Sequence, residues 1–137
     1  LPGSGHQAYM DAFALLVAPA LRAYKPELIV VASGLDANGV DPLARMLAHA
    51  ETFRAMARQI KALADELCGG KLLCVHEGGY SELMVPFCGL AIVEELSGQK
   101  TDVIDPMFDI IHAQQPPADM IAFQRARLEA QAKAVFG

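Results

Sequence analysis

The sequence predicts an α/β domain built on a parallel sheet flanked by helices. Three observations predict it. Residues 28–32 and 71–75 are short apolar runs, and the first is rich in β-branched residues. Neither alternates apolar with polar positions, which is the pattern of strands buried on both faces of a parallel sheet. Long segments with apolar residues at helical spacing separate and flank the runs. Each run closes in a glycine-bearing loop that carries a polar residue. Strand, helix, strand, helix is the order of right-handed βαβ crossovers. In such sheets, ligands bind outside the carboxyl ends of the strands.

The elements follow in chain order. Residues 7–24 form a helix whose apolar face is Tyr9, Phe13, Leu16, Val17, Ala20, Leu21 and Tyr24. Pro19 kinks it or ends its first part, because proline has no N–H and its ring crowds the preceding turn. Lys25-Pro26 ends the helix, and residues 28–32 are the first strand. Asp41-Pro42 reads as a helix start, with Asp as cap and Pro at the first helical position. Residues 51–67 are a longer helix with the stripe Phe53, Met56, Ala57, Ile60, Leu63, Ala64 and Leu67. Gly69-Gly70 stops it. Residues 71–75 are the second strand and 76–80 a loop. Ser81 caps a third helix that runs to about residue 96 and stops at Ser97-Gly98. Residues 99–117 are mixed in character, and Asp119 caps a last, weakly amphipathic helix to about residue 135.

Composition narrows the classes. A chain of 137 residues is one modest domain, and 53% apolar content is too high for a disordered chain. With no Trp, the core is built from Leu, Ile, Val, Met and Ala. A net charge of −5 argues against a nucleic-acid surface and is compatible with a cationic substrate. Cys68, Cys74 and Cys88 are odd in number and lack C-x-x-C spacing, so neither a disulfide framework nor a structural zinc knuckle is expected. Cys74 and Cys88 sit in apolar runs and read as core residues, and a reducing, cytoplasmic setting is the simplest reading. No run reaches the roughly 18 apolar residues of a membrane span, and there is no signal peptide. The chain opens on the loop-like Leu1-Pro2-Gly3-Ser4-Gly5 without a Met, as a piece of a longer chain does. Oligomeric state is not readable from the sequence.

Two loops carry the residues of chemical interest. Asp36 follows the first strand, and Tyr80 follows the second through Glu77-Gly78-Gly79. Parallel strands put both loops on one edge of the sheet, so Asp36 and Tyr80 can face one site. Local sequence leaves alternatives open. Asp36 is either a turn or cap residue or a functional carboxylate. Gly78-Gly79 is either a simple turn, with Tyr80 a packed aromatic, or a backbone shaped for close approach to a ligand. A phosphate cradle has weak support, since the loop has neither G-x-G-x-x-G nor a Walker lysine. The four histidines form no paired ligand pattern. His49 and His112 read as solvated or capping residues, His76 as a buried hydrogen-bonded one, and His6 as a residue that could line a pocket.

Three segments together resemble one family. Residues 26–37 followed by Asp41-Pro42-Leu43 resemble the second metal-ligand segment of the histone deacetylase and acetylpolyamine amidohydrolase family, typically PELIVVSAGFDA…DPL. Cys68-Gly69-Gly70-Lys71 through Glu77-Gly78-Gly79-Tyr80 resembles its catalytic tyrosine loop. Leu1-Pro2-Gly3-Ser4-Gly5-His6 and Ala8-Tyr9 resemble the PPGSGxGAY loop of its bacterial amidohydrolase branch. The matches keep the family's order and spacing over residues 1–98, and residues 99–137 look like that branch's C-terminal extension packing on the same domain. Leu35 stands where Phe is usual, and Ala48-His49 where Leu-Thr is common before the long helix, which weakens a helix cap.

The resemblance implies the C-terminal portion of an arginase/deacetylase-type three-layer fold and zinc-dependent hydrolysis of an acetylated amine, of acetyl-lysine or acetylpolyamine type. It makes Asp36 one of two aspartate ligands of a Zn2+ also held by one histidine. It makes Tyr80 the donor to the oxyanion, worth roughly 3–4 kcal/mol in typical cases. Gly78, Gly79 and Leu43 become walls of a narrow tunnel for the acylated substrate. The family's Asp-x-His motif and tandem histidine pair fall before Leu1 in this scheme. The competing readings are a non-catalytic α/β binding module of the same family and, without a phosphate motif to favour it, a nucleotide-binding domain.

Overall fold

The computed structural model describes residues 1–137. Its elements are α1 (His6–Ala12), a π-helical stretch (Phe13–Val17), α2 (Ala18–Tyr24), β1 (Ile29–Ser33), α3 (Ala50–Cys68), β2 (Leu72–His76), α4 (Val85–Ser97), α5 (Phe108–Ala113) and α6 (Ala118–Phe136). The first three join end to end as one helix. Pro19 disturbs that helix by widening the turn before it rather than by ending it. The N–H of Ala18 reaches back to the Phe13 carbonyl, a five-residue step, just ahead of the residue that has no N–H to give.

β1 and β2 pair in parallel, with Ile29 opposite Leu72 and Ser33 opposite His76, and α3 is the crossover between them. α3 ends at Gly69, whose left-handed backbone (φ 63°) turns the chain so that the Gly70 N–H donates to the Ala64 carbonyl at 3.0 Å. Ile29 packs with Ile60, Leu63, Ala64 and Cys68 of α3, and Phe13, Leu21, Val31 and Leu72 close around them. Each fully buried Ile or Leu there contributes about 1.5–3 kcal/mol.

The strands are not buried on both faces, as their unbroken apolar runs predict. Val30, Leu73 and Val75 project from the second face and are 57%, 52% and 41% exposed. Their packing partners within the chain, α3 and the N-terminal helix, lie on one side of the sheet.

A second cluster, of Leu35, Ala48, Phe53, Met84 and Cys88, lies under the loops at the carboxyl ends of the strands. Burial, then the nearby Asp105, pushes the Cys88 thiol up to about 12 against a hydrogen bond from Asn38, so it stays a protonated core group. Three other expectations are corrected. Residues 41–47 form an irregular loop with a bend at Pro42-Leu43 rather than a helix, because Asp41 spends its carboxylate on two loops at once. α4 starts at Val85 rather than at Ser81, with the Ser81 carbonyl accepting from Met84 and Val85 in a preceding turn. α6 begins at Ala118 after Pro117, so Asp119 lies in its first turn. α6 packs against α1 and is tied to it by Arg125, 2.7 Å from the buried Asp11. No helix is long and apolar enough to cross a membrane.

Candidate active site

The parallel ladder runs on past both strands. Glu77 N–H donates to the Ser33 carbonyl (3.2 Å), and Leu35 N–H donates to the Gly78 carbonyl (2.7 Å). Leu35 is buried in the cluster below, and Asp36 is only partly buried. Two glycines make room for the Asp36 carboxylate. A Cβ on Gly34 would lie 2.9 Å from Asp36 Oδ1. A Cβ on Gly78 would overlap Asp36 Oδ2 and lie 2.9 Å from its Cγ. The same point at Gly78 is 3.4 Å from Tyr80 Cε2. Asp36 and Tyr80 therefore converge on one spot at the carboxyl edge of β1 and β2.

Gly79 has φ 140°, a conformation that side chains rarely adopt, and a Cβ there would press on Leu35 and Val85. The Tyr80 ring that follows is 55% exposed, so it is not a packed core aromatic. Leu43, 69% exposed, stands on the neighbouring loop. Beneath these loops, the Tyr9 phenol is raised by burial and then by the Asp36 carboxylate, so it stays protonated beside it.

Asp41 joins the two loops. It is 7% exposed, and its Oδ1 accepts from Leu43 N–H (2.9 Å) and Ala44 N–H (3.3 Å) while Oδ2 accepts from Tyr80 N–H (2.8 Å). Burial alone would raise its pKa; backbone donors at Tyr80, Leu43, Ala44 and Ser81 hold it below the usual carboxylate range. The sequence reading took Asp41 for a helix cap, because its local context, Asp-Pro, is a cap signature and its other partners lie far along the chain.

The steric map makes one variant informative. Gly78→Ala is expected to push the Asp36 carboxylate aside and to destabilise the protein by about 1–3 kcal/mol, the usual cost of overpacking. Gly89→Ala in α4 is the control, since its Cβ would meet only Leu35 Cδ1 at 3.7 Å. Equal Tm in the two variants would contradict the tight fit at Gly78.

The histidines gather elsewhere. His6, His49 and His112 surround a cavity of about 350 Å³ with Phe108 and Gln124. His6 and His49 stack at 5.5 Å, and His49 meets Phe108 edge-on at 4.9 Å. His49 is buried rather than solvated, and it precedes α3, where Thr52 Oγ1 accepts its backbone N–H at 3.3 Å. Thr52 thereby supplies the third-position half of a capping box with His49. His76, by contrast, is exposed rather than buried.

Burial, then His6 and His112, lowers the His49 pKa to about 4, against the opposing pull of Asp105 and Glu51. The sign follows. The unfolded chain takes up a proton near pH 6.5 that folded His49 refuses, so stability present above pH 6.5 is lost as pH falls toward 4. The loss is at most about 3 kcal/mol. Carboxylates held low, such as Asp41 and Glu94 (about 2), act only further down. Thermal unfolding at pH 7.5 and 5 should show a Tm drop that His49→Thr reduces; an undiminished drop in that variant would assign it to other groups.

A catalytic zinc requires three protein ligands. Asp36, a partly buried carboxylate at a sheet edge, has the chemistry to serve as one of them. No group of three His, Cys, Asp or Glu side chains in the chain could hold a metal ion by itself.

Fold and site together define an α/β domain with its site at the carboxyl edge of a parallel sheet. The histone deacetylase domain family model matches residues 1–96. The chain is 58% identical over 129 residues to the histone deacetylase-like amidohydrolase of Pseudomonas aeruginosa, covering 94% of this chain and 34% of that one. It is 33% identical over 98 residues to a probable deacetylase of Archaeoglobus fulgidus, covering 71% and 27%. Among solved structures it resembles the HDA15 HD domain (TM-score 0.66, 25% identity, covering 95% of this chain and 36% of that one) and the histone deacetylase Clr3 (TM-score 0.68, 22% identity, covering 96% and 21%). This chain belongs to the histone deacetylase family and has the arginase/deacetylase fold. It spans about a third of the length of the amidohydrolase it matches.

Proposed function

We propose that this chain supplies one zinc-ligating carboxylate and the oxyanion-stabilising tyrosine of an enzyme that hydrolyses acetylated amines. The observation that carries the reading is the convergence of Asp36 and Tyr80 on Gly78. The names of the matched relatives, an amidohydrolase and a probable deacetylase, support the reaction class. Asp36 is the metal ligand of this chain, and the bound Zn2+ supplies Lewis-acid chemistry at the amide carbonyl. The remaining ligands and the proton-transferring histidines belong to other segments of the family's domain.

The residues of this chain have distinct tasks. Tyr80 hydroxyl donates a hydrogen bond to the carbonyl oxygen as it becomes an oxyanion, an interaction that strengthens in the transition state. Gly78 and Gly79, which lack side chains, leave room for the acyl group beside that hydroxyl. Leu43 covers the apolar part of the substrate from the neighbouring loop. The enzyme works in the cytoplasm on acetyl-lysine or an acetylpolyamine, with its three cysteines as free thiols.

Turnover of a fluorogenic acetyl-lysine substrate and of acetylspermidine by the full-length protein tests the reading. Hydrolysis that a zinc chelator abolishes and added zinc restores is expected. The 137-residue chain alone should show none, since one carboxylate does not hold a catalytic zinc. Chelator-sensitive hydrolysis by this chain alone, or none by the full-length protein, would overturn it.

A further inference from the structure

We infer that Asp41 is the positioning residue of Tyr80, fixing the backbone from which the tyrosine reaches the reacting carbonyl. The inference rests on the reading of Tyr80 as the oxyanion donor and goes on to say what aims it. Two glycines precede Tyr80, and glycine is the residue with most backbone freedom. The ring itself is half exposed, so packing holds it weakly. The first firm anchor after the glycines is the Tyr80 N–H, which donates to Asp41 Oδ2 at 2.8 Å. The acceptor is well suited to the task. It is ionised, nearly buried, and its own geometry is set by Leu43 and Ala44 N–H groups on Oδ1. Charge-assisted hydrogen bonds are shorter and about twice as strong as neutral ones. One side chain thereby locks the Leu43 loop and the Tyr80 loop into a single register, across 39 positions of sequence.

A purely structural loop clamp and a positioning residue predict different couplings. The test measures kcat, KM and zinc content for Asp41→Asn, Tyr80→Phe and the double variant in the full-length protein. Asn keeps the size of the side chain and one acceptor, so the protein folds; Asp41→Ala adds a stronger version where it stays soluble. Asp41→Asn is expected to lower kcat about 10–100-fold, with zinc content at the wild-type level and KM within about threefold. In the Tyr80→Phe background the same change should cost less than about threefold, because no hydroxyl is left to misplace. Wild-type kcat in Asp41→Asn would overturn the inference. So would a loss of zinc, or an undiminished effect in the Tyr80→Phe background, each of which assigns Asp41 to general structure. Wild-type kcat in Tyr80→Phe itself would instead remove the tyrosine assignment on which the inference stands.

Discussion

Asp36→Ala in the full-length protein is expected to lose zinc and activity together. The side chain stands at the carboxyl end of β1, partly buried, over the backbones of Gly34 and Gly78. Asp36 belongs to neither hydrophobic cluster, so its truncation should leave the fold in place, with a Tm within a few degrees of wild type. Under the proposed assignment, its loss leaves too few donors to retain zinc at ordinary concentrations. Metal content should fall well below one per chain, and kcat/KM by more than about 1000-fold, the scale of losing Lewis-acid activation. Added zinc should recover only part of it. A turn residue would behave differently: the variant would lose some stability and keep its metal. Metal analysis beside steady-state kinetics separates the two.

Tyr80→Phe is expected to lose activity and keep its zinc. Phenylalanine preserves the ring, which is 55% exposed and contributes little to the core. Only the hydroxyl goes, and with it a bond that is strongest when charge has developed on the carbonyl oxygen. The loss therefore falls on kcat, by about 100–1000-fold, with KM changed much less. A tyrosine serving only as packing predicts wild-type kcat. Together the two variants test the proposed division of the site into a carboxylate that holds metal and a hydroxyl that holds the oxyanion.

What the sequence disclosed tracks the range of the interactions involved. β1, α3 and β2 were legible because unbroken apolar runs and the stripe from Phe53 to Leu67 are local signals, and Gly69 is a local stop. The shared edge of Asp36 and Tyr80 followed from strand direction alone. The role of Asp41 was not legible, because its local partners, Leu43 and Ala44, mimic a helix cap while its decisive partner is Tyr80. His49 looked like a surface residue since nothing nearby in sequence covers it; His6 and Phe108 do, from distant segments. The open face of the sheet was equally hidden. Val30, Leu73 and Val75 have the composition of doubly buried strands, yet within this chain only one face is covered.

The central claim is that Asp36 and Tyr80 serve one metal centre. The most direct measurement is a crystal structure of the full-length protein with zinc and a hydroxamate inhibitor, the metal located by anomalous scattering at its absorption edge. A zinc peak about 2.0–2.2 Å from an Asp36 carboxylate oxygen, with the Tyr80 hydroxyl about 2.7 Å from the inhibitor's carbonyl oxygen, is the predicted result. A catalytic zinc that does not touch Asp36, or a Tyr80 hydroxyl turned away from the bound carbonyl, would contradict it.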